Sequence, residues 1–169
     1  MSWLHSSLDP KHGYHRSQTT TLALTRKELR SDCSLHLLHN LPPDIFVDPY
    51  ELAHYEKAYT FEYWGTTNLE LPVAAVSPHG TAVLLNITIP KTVQYDSLSL
   101  AVQVPMHLRY GRLLSQSPPA YHQKEIPWPV GFLACPISCT FFLYTPHDFC
   151  SLIHVLQRLD VRTGYPKCL

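Results

Sequence analysis

Apolar residues recur with a period of two along much of this chain, the spacing of half-buried β-strands. The longest such stretch is Ser97–Tyr110, where Leu98, Leu100, Val102, Val104, Met106 and Leu108 alternate with Ser97, Ser99, Ala101, Gln103, Pro105 and His107. In Thr81–Ile89, Val83, Leu85, Ile87 and Ile89 share one face, which turns Asn86 on the other face away from the core. Tyr59, Phe61 and Tyr63 alternate with Thr60 and Glu62, Trp64 follows, and Gly65 ends that strand. Thr20–Thr25 and Cys33–His39 read as two strands joined by a charged turn at Arg26–Asp32, and Gly131–Tyr144 as one or two buried strands. Pro105 has no N–H to give to a ladder, so it places its strand at a sheet edge or puts a bulge beside His107. An edge at that point is a natural docking site.

Helical signals are few. Asp48-Pro49-Tyr50-Glu51 offers a capping side chain, a proline at the first helical position and an acid at the third, which predicts a short helix over Pro49–Lys57. Leu152, Leu156 and Leu159 give helical spacing to Cys150–Leu159. Residues 1–18 carry no clear period and read as a flexible lead-in, with the fold expected to start near Thr19. The organisation expected is therefore a lead-in (1–18), a β domain (19–144) and a tail with a short helix (145–169). Short strands punctuated by prolines predict a mainly β chain, an antiparallel β-sandwich with one or two short helices.

Composition narrows the functional classes. At 169 residues the chain is the size of one domain, with 45% hydrophobic and only 15% charged residues, so disorder throughout is excluded. Thirteen basic and thirteen acidic side chains cancel, leaving no broad field to attract nucleic acid or an anionic membrane. Five cysteines leave at least one unpaired if the others form disulfides, and the count does not fix the redox compartment. No signal-peptide core is readable at the N-terminus. The apolar run Val130–Tyr144 is shorter than the roughly 20 residues of a spanning helix and contains Pro136, so no transmembrane helix is expected.

Candidate chemistry is sparse. Eleven histidines invite a metal reading, yet His12/His15, His36/His39 and Cys135/Cys139 complete no zinc spacing, and scattered surface and loop positions are the expectation. His36 and His39 fall on opposite strand faces because their separation is odd. Asp44 sits in a turn and Asp48 caps a helix, which explains both without a catalytic pair. There is no G-x-S-x-G, P-loop, H-E-x-x-H or D-x-D element, so no catalytic residue, metal or cofactor is expected. Asn86-Ile87-Thr88 is an N-glycosylation sequon, usable only if the chain enters the secretory pathway. His107 and Arg109 share one strand face, with Tyr110 on the other; together with Trp64 they are candidates for a partner contact.

The segment Cys33–Leu52, CSLHLLHNLPPDIFVDPYEL, resembles the signature of the PIG-X family, with Val47, Asp48, Pro49, Tyr50, Glu51 and Leu52 matching its V-D-P-Y-E-L motif. Downstream, Pro105-Met106-His107-Leu108-Arg109-Tyr110 looks like the family's P-x-H-x-R-Y element, and a proline-rich loop followed by Cys135 also fits. The similar region runs from about Thr19 to Cys139. The resemblance, which extends to fungal Pbn-type relatives, implies a non-catalytic accessory subunit on the lumenal side of the endoplasmic reticulum membrane. Its implied partner is the catalytic (PIG-M type) subunit of the GPI mannosyltransferase that adds the first mannose from dolichol-phosphate-mannose, which it stabilises. Family members carry an N-terminal lead segment and a C-terminal anchor, so membrane association is expected through the partner or through an anchor missing from this chain. Cys33, Cys135 and Cys139 are candidate disulfide residues, with Cys33 joined to either of the other two. Tyr50 and Glu51 are expected to hold the helix and its loop. The edge near Pro105–Tyr110 and an aromatic ridge at Tyr59–Trp64 are the surfaces expected to cover apolar loops of the partner. The alternatives are a carbohydrate-binding module using Trp64, Tyr63 and Trp128, a general lumenal chaperone, and an enzyme using His107 with a carboxylate that its own strand does not supply.

Overall fold

The computed structural model describes residues 2–25, 33–66, 68–90, 97–110, 125–135 and 141–142. In chain order the elements are β1 (Trp3–Asp9), β2 (His15–Thr25), β3 (Ser34–Leu41), β4 (Ile45–Phe46), α1 (Pro49–Ala53), β5 (Tyr59–Trp64), a 3-10 turn (Val73–Ala75), β6 (Thr81–Ile87), β7 (Ser97–Leu108), β8 (Val130–Ala134) and β9 (Phe141–Phe142). They form two sheets, one ordered β1-β2-β7-β4 and the other β5-β6-β3-β8-β9. Every ladder is antiparallel. The chain is thus a mainly β sandwich, as the alternation predicts.

Alternation decides what the sheets bury. Leu22 and Leu24 of β2, Val102, Val104 and Met106 of β7, Leu35, Leu37 and Leu41 of β3, and Val83, Leu85 and Ile87 of β6 all lie in one core with Ile45, Val47, Leu52 and Tyr59. Two polar links cross the sandwich inside that core. The Tyr59 hydroxyl of β5 donates to the Gln103 carbonyl of β7 at 3.1 Å, and the His39 ring of β3 meets Gln18 of β2. These links put β5 beneath β7 and β3 beneath β2.

Residues 1–18 are not a lead-in. Trp3–Asp9 pair along β2 from Trp3↔Ala23 to Asp9↔Ser17, and β2 itself begins at His15. The reading missed them because several inward positions are polar. Ser6, Gln18 and Thr20 are buried, and the Ser6 and Thr20 hydroxyls satisfy each other at 3.2 Å. Hydrophobic periodicity is blind to a strand whose core face carries hydroxyls and an amide paired among themselves. The helix is also shorter than Pro49–Lys57. After Ala53 the bonds from Tyr55 N to Leu52 O and from Ala58 N to Tyr55 O span three residues, tightening the chain into turns that deliver it to β5. The predicted helix over Cys150–Leu159 lies outside the described residues.

Pro105 makes no bulge, because the register Arg16↔Met106, Ser17↔Pro105, Gln18↔Val104 is unbroken. The backbone parity of β7 explains the tolerance. Leu108 N donates toward β2, to Tyr14 O, whereas Arg109 N donates to Asp44 O and Gln103 O accepts from Tyr59, both away from β2. Odd-numbered residues of β7 therefore direct their backbone groups to the flank opposite β2, and the donor Pro105 lacks is one that β2 never needed. Among the described residues, that flank is paired with another strand only where β4 meets His107 and Leu108. The edge expected at Pro105–Tyr110 is thus occupied at its C-terminal end, while along residues 97–106 no strand among the described residues pairs with that flank and Gln103 O accepts there from the Tyr59 hydroxyl.

Two glycines fix the base of the β5–β6 connection. Gly80 has φ +68, and a Cβ there would run into the Leu41 carbonyl oxygen; Gly65 has φ +122, and its Cβ would lie 2.8 Å from Gly80 O. Among the described residues no helix is long and apolar enough to cross a membrane.

Candidate functional site: the junction of the two motifs

The V-D-P-Y-E-L and P-x-H-x-R-Y elements, far apart in sequence, meet at one end of the four-stranded sheet. The cause is the short ladder Ile45↔Leu108, Phe46↔His107, which lays the strand preceding the first motif along the end of the second. Directly opposed residues of neighbouring strands share a face, so β2, β7 and β4 present His15, His107 and Phe46 as one row of rings. His15 meets His107 edge-on at 4.6 Å between centroids, and Phe46 stacks on His107 at 5.1 Å.

The helix fastens this row. Asp48 accepts from Tyr50 N at 2.9 Å, satisfying an N-terminal amide, while Pro49 occupies a first-turn position where no donor is required. The cap fixes α1 so that Glu51 Oε2 lies 2.6 Å from His107 Nε2. Val47 and Leu52 of the same motif are buried in the core. Val47, Asp48, Glu51 and Leu52 thus each have an internal contact. Tyr50 is 82% exposed and contributes its backbone, not its ring, to the structure.

Arg109 is the tightest part of the junction. Its Nη1 donates to the carbonyls of Asn68 at 2.6 Å and Leu71 at 2.9 Å, its backbone N donates to Asp44 O, and its Cζ lies 4.5 Å from the Phe46 ring centroid. One guanidinium therefore holds the β5–β6 connection against β4, combining charge-assisted hydrogen bonds with a cation–π contact. Burial lowers the Arg109 pKa.

These positions correct the expected partner contact. Arg109 is 6% exposed and its Nη1 and backbone N donate within the chain, so it is not an exposed strand end. His107 is half-buried against Glu51, while Trp64 stands on β5, in the other sheet. The aromatic ridge is divided as well: Tyr59 is buried with its hydroxyl on Gln103, whereas Tyr63, on the same strand face and stacked beside Phe61, is exposed. Tyr110, 75% exposed, packs instead beside Tyr14 with centroids 5.3 Å apart. Trp128 lies edge-on to His5 of β1, and Tyr63 and Trp64 are on β5, so the three aromatics form no shared platform.

Sequence reasoning missed four contributors: His15, Phe46, the carbonyls of Asn68 and Leu71, and the Glu51 partner of His107. Phe46 stood beside the first motif and was findable. The Glu51–His107 pair was not, because its 56-residue separation is closed only by the β4–β7 ladder. That pair could pass a proton between imidazole and carboxylate, so the acid His107 lacked in its own strand comes from α1.

Elsewhere, the Cys33 thiol is joined to Cys135 in a disulfide, beyond the Ser34↔Ala134 end of the β3–β8 ladder. Cys139 lies outside the described residues. His36 and His39 are not surface histidines. His36 shares a 2.7 Å hydrogen bond with Ser34 Oγ and stacks on Phe132, and burial lowers its pKa. His39 Nδ1 donates to Gln18 Oε1 at 3.1 Å, Gln18 Nε2 donates to Pro127 O at 3.3 Å, and burial pushes the imidazole pKa down to about 4. Among the described residues no group of three or more His, Cys, Asp or Glu is placed to hold a metal ion.

Residues 11–148 match the model of the PIG-X / PBN1 family. The chain is 30% identical over 132 residues to protein pbn1 of Aspergillus fumigatus, covering 69% of this chain and 26% of that protein. It is 30% identical over 139 residues to protein pbn1 of Emericella nidulans, covering 75% of this chain and 26% of that protein. The chain therefore spans about a quarter of the length of these curated relatives. No solved structure matches it. A family match that encloses both motifs, over a fold that packs those motifs against each other, places the chain in the PIG-X / PBN1 family.

Proposed function

We propose that this chain is the lumenal β-sandwich of a non-catalytic accessory subunit of GPI-anchor biosynthesis, one that stabilises the mannosyltransferase adding the first mannose. The observation that carries the reading is the family match together with the use made of its motifs. Asp48, Glu51, His107 and Arg109 are spent on building one rigid corner of the sandwich. Residues with that use preserve a scaffold, and a scaffold is what a stabilising subunit supplies. The Cys33–Cys135 disulfide supports an oxidising compartment such as the endoplasmic reticulum lumen.

With Arg109 buried, the docking surface moves along β7 to residues 97–104, whose flank pairs with no strand among the described residues. Ser97-Leu98-Ser99-Leu100-Ala101-Val102-Gln103-Val104 carries no charge and no proline, the two features that ordinarily protect an edge. An uncharged extended loop segment of the mannosyltransferase adds there as a further strand, its main chain meeting the backbone groups of Ser97, Ser99 and Ala101.

The Glu51–His107 contact is the observation that favours the alternative of acid–base chemistry. Against it, Phe46 stacks on the imidazole and His15 meets it edge-on, a setting suited to fastening more than to substrate access. The test is expression in cells lacking the corresponding accessory subunit. The proposal expects a restored level of the mannosyltransferase and of surface GPI-anchored proteins, with the Glu51→Gln variant retaining most of the effect. An unchanged mannosyltransferase level, with this chain folded and lumenal, would overturn it.

A further inference from the structure

We infer that Asn86 is an N-glycosylation site and that the β5–β6 side of the outer face of the five-stranded sheet, where Asn86, Thr60 and Glu62 are exposed, is consequently a glycan-bearing surface. Asn86-Ile87-Thr88 is the only N-x-S/T triplet in the chain. The strand geometry of β6 separates its three side chains by role. Ile87 is buried in the core, whereas Asn86 and Thr88 are exposed. Residues two apart on a strand project to the same side, so the acceptor amide and the hydroxyl that must be read with it emerge together. Thr88 N donates to Ala58 O at 2.8 Å, which holds the triplet extended to its last residue.

The lateral neighbours leave room. Asn86 stands between His36 of β3 and Thr60 of β5. His36 is turned to Ser34 and Phe132, and Thr60 is exposed. Among the described residues no hydrogen bond or core contact depends on the exposed Asn86 amide, so a glycan projects from it without rearrangement of the sheet. In the transfer, Asn86 Nδ2 bonds to C1 of the first sugar of a lipid-pyrophosphate-linked oligosaccharide. The bond from C1 to the pyrophosphate oxygen breaks, the pyrophosphate leaves with the electron pair, and the amide nitrogen gives up one of its two protons. A glycan on β6 closes the β5–β6 side of that face to a protein partner and leaves the four-stranded sheet and its β7 flank for association.

This inference rests on the lumenal reading, and the test separates the two. The full chain is expressed in mammalian cells beside a Glu70→Thr variant, which creates a second triplet at Asn68 in an exposed loop, and both are treated with an amidase that removes N-glycans. The expected result is one amidase-sensitive step in mobility for the unaltered chain, lost in Asn86→Gln and in Thr88→Ala, and two steps for Glu70→Thr. A Glu70→Thr variant with a single step that Asn86→Gln does not remove would overturn the site while leaving the lumenal reading intact. Absence of any step in every variant would overturn the lumenal reading, and the inference with it.

Discussion

His39 couples the core of this protein to pH. Its ring is buried and bonded to Gln18, and its pKa falls from 6.5 to about 4. The folded state therefore holds the neutral form, so its contribution is present above the unfolded pKa and is lost as pH falls toward the folded one. From pH 7 to pH 5 the loss is on the order of 2 kcal/mol. Urea midpoints at the two pH values should show that decline in the unaltered chain and a much smaller one in His39→Gln. Arg109 makes the second residue-scale prediction. A lysine cannot reach the Asn68 and Leu71 carbonyls while lying flat on Phe46. Arg109→Lys should cost about 1–2 kcal/mol in urea denaturation, whereas the neighbouring, exposed Tyr110→Ala should change stability by no more than about 0.5 kcal/mol.

Elements whose inner face is mostly apolar were legible in the sequence, and the first strand, whose inner face is partly hydroxylic, was not. Thr81–Ile87 and Ser97–Leu108 read correctly because Val83, Leu85, Ile87, Val102, Val104 and Met106 fill every second place. The first strand escaped because Ser6 and Thr20 replaced apolar residues at paired inward positions. The N-cap at Asp48 was readable because capping is local, while the Glu51–His107 contact depends on a ladder between distant strands. Two predictions belong to this scale. The Cys33–Cys135 bond closes a separation of 102 residues, so replacing both by serine should cost about 2–5 kcal/mol in urea denaturation. On β7, the side chains of Ser99 and Ala101 are exposed. Lysine at both positions should abolish strand addition and co-purification of the mannosyltransferase while leaving the thermal midpoint of the isolated chain nearly unchanged.

For the whole molecule, the distribution of features is asymmetric. The V-D-P-Y-E-L and P-x-H-x-R-Y motifs, the β7 flank opposite β2 and the Arg109 clamp belong to the four-stranded sheet or its margin. The sequon lies on the other sheet. With a formal net charge of zero, the chain carries no net field for long-range attraction, so the proposed association rests on backbone pairing and apolar cover. The most direct test of the accessory-subunit reading is affinity purification of the tagged chain from microsomes, with mass spectrometry of what accompanies it. The account predicts the catalytic subunit of the first GPI mannosyltransferase in the eluate, in amounts comparable to the chain itself. A folded, disulfide-bonded chain recovered from microsomes without that subunit would contradict it.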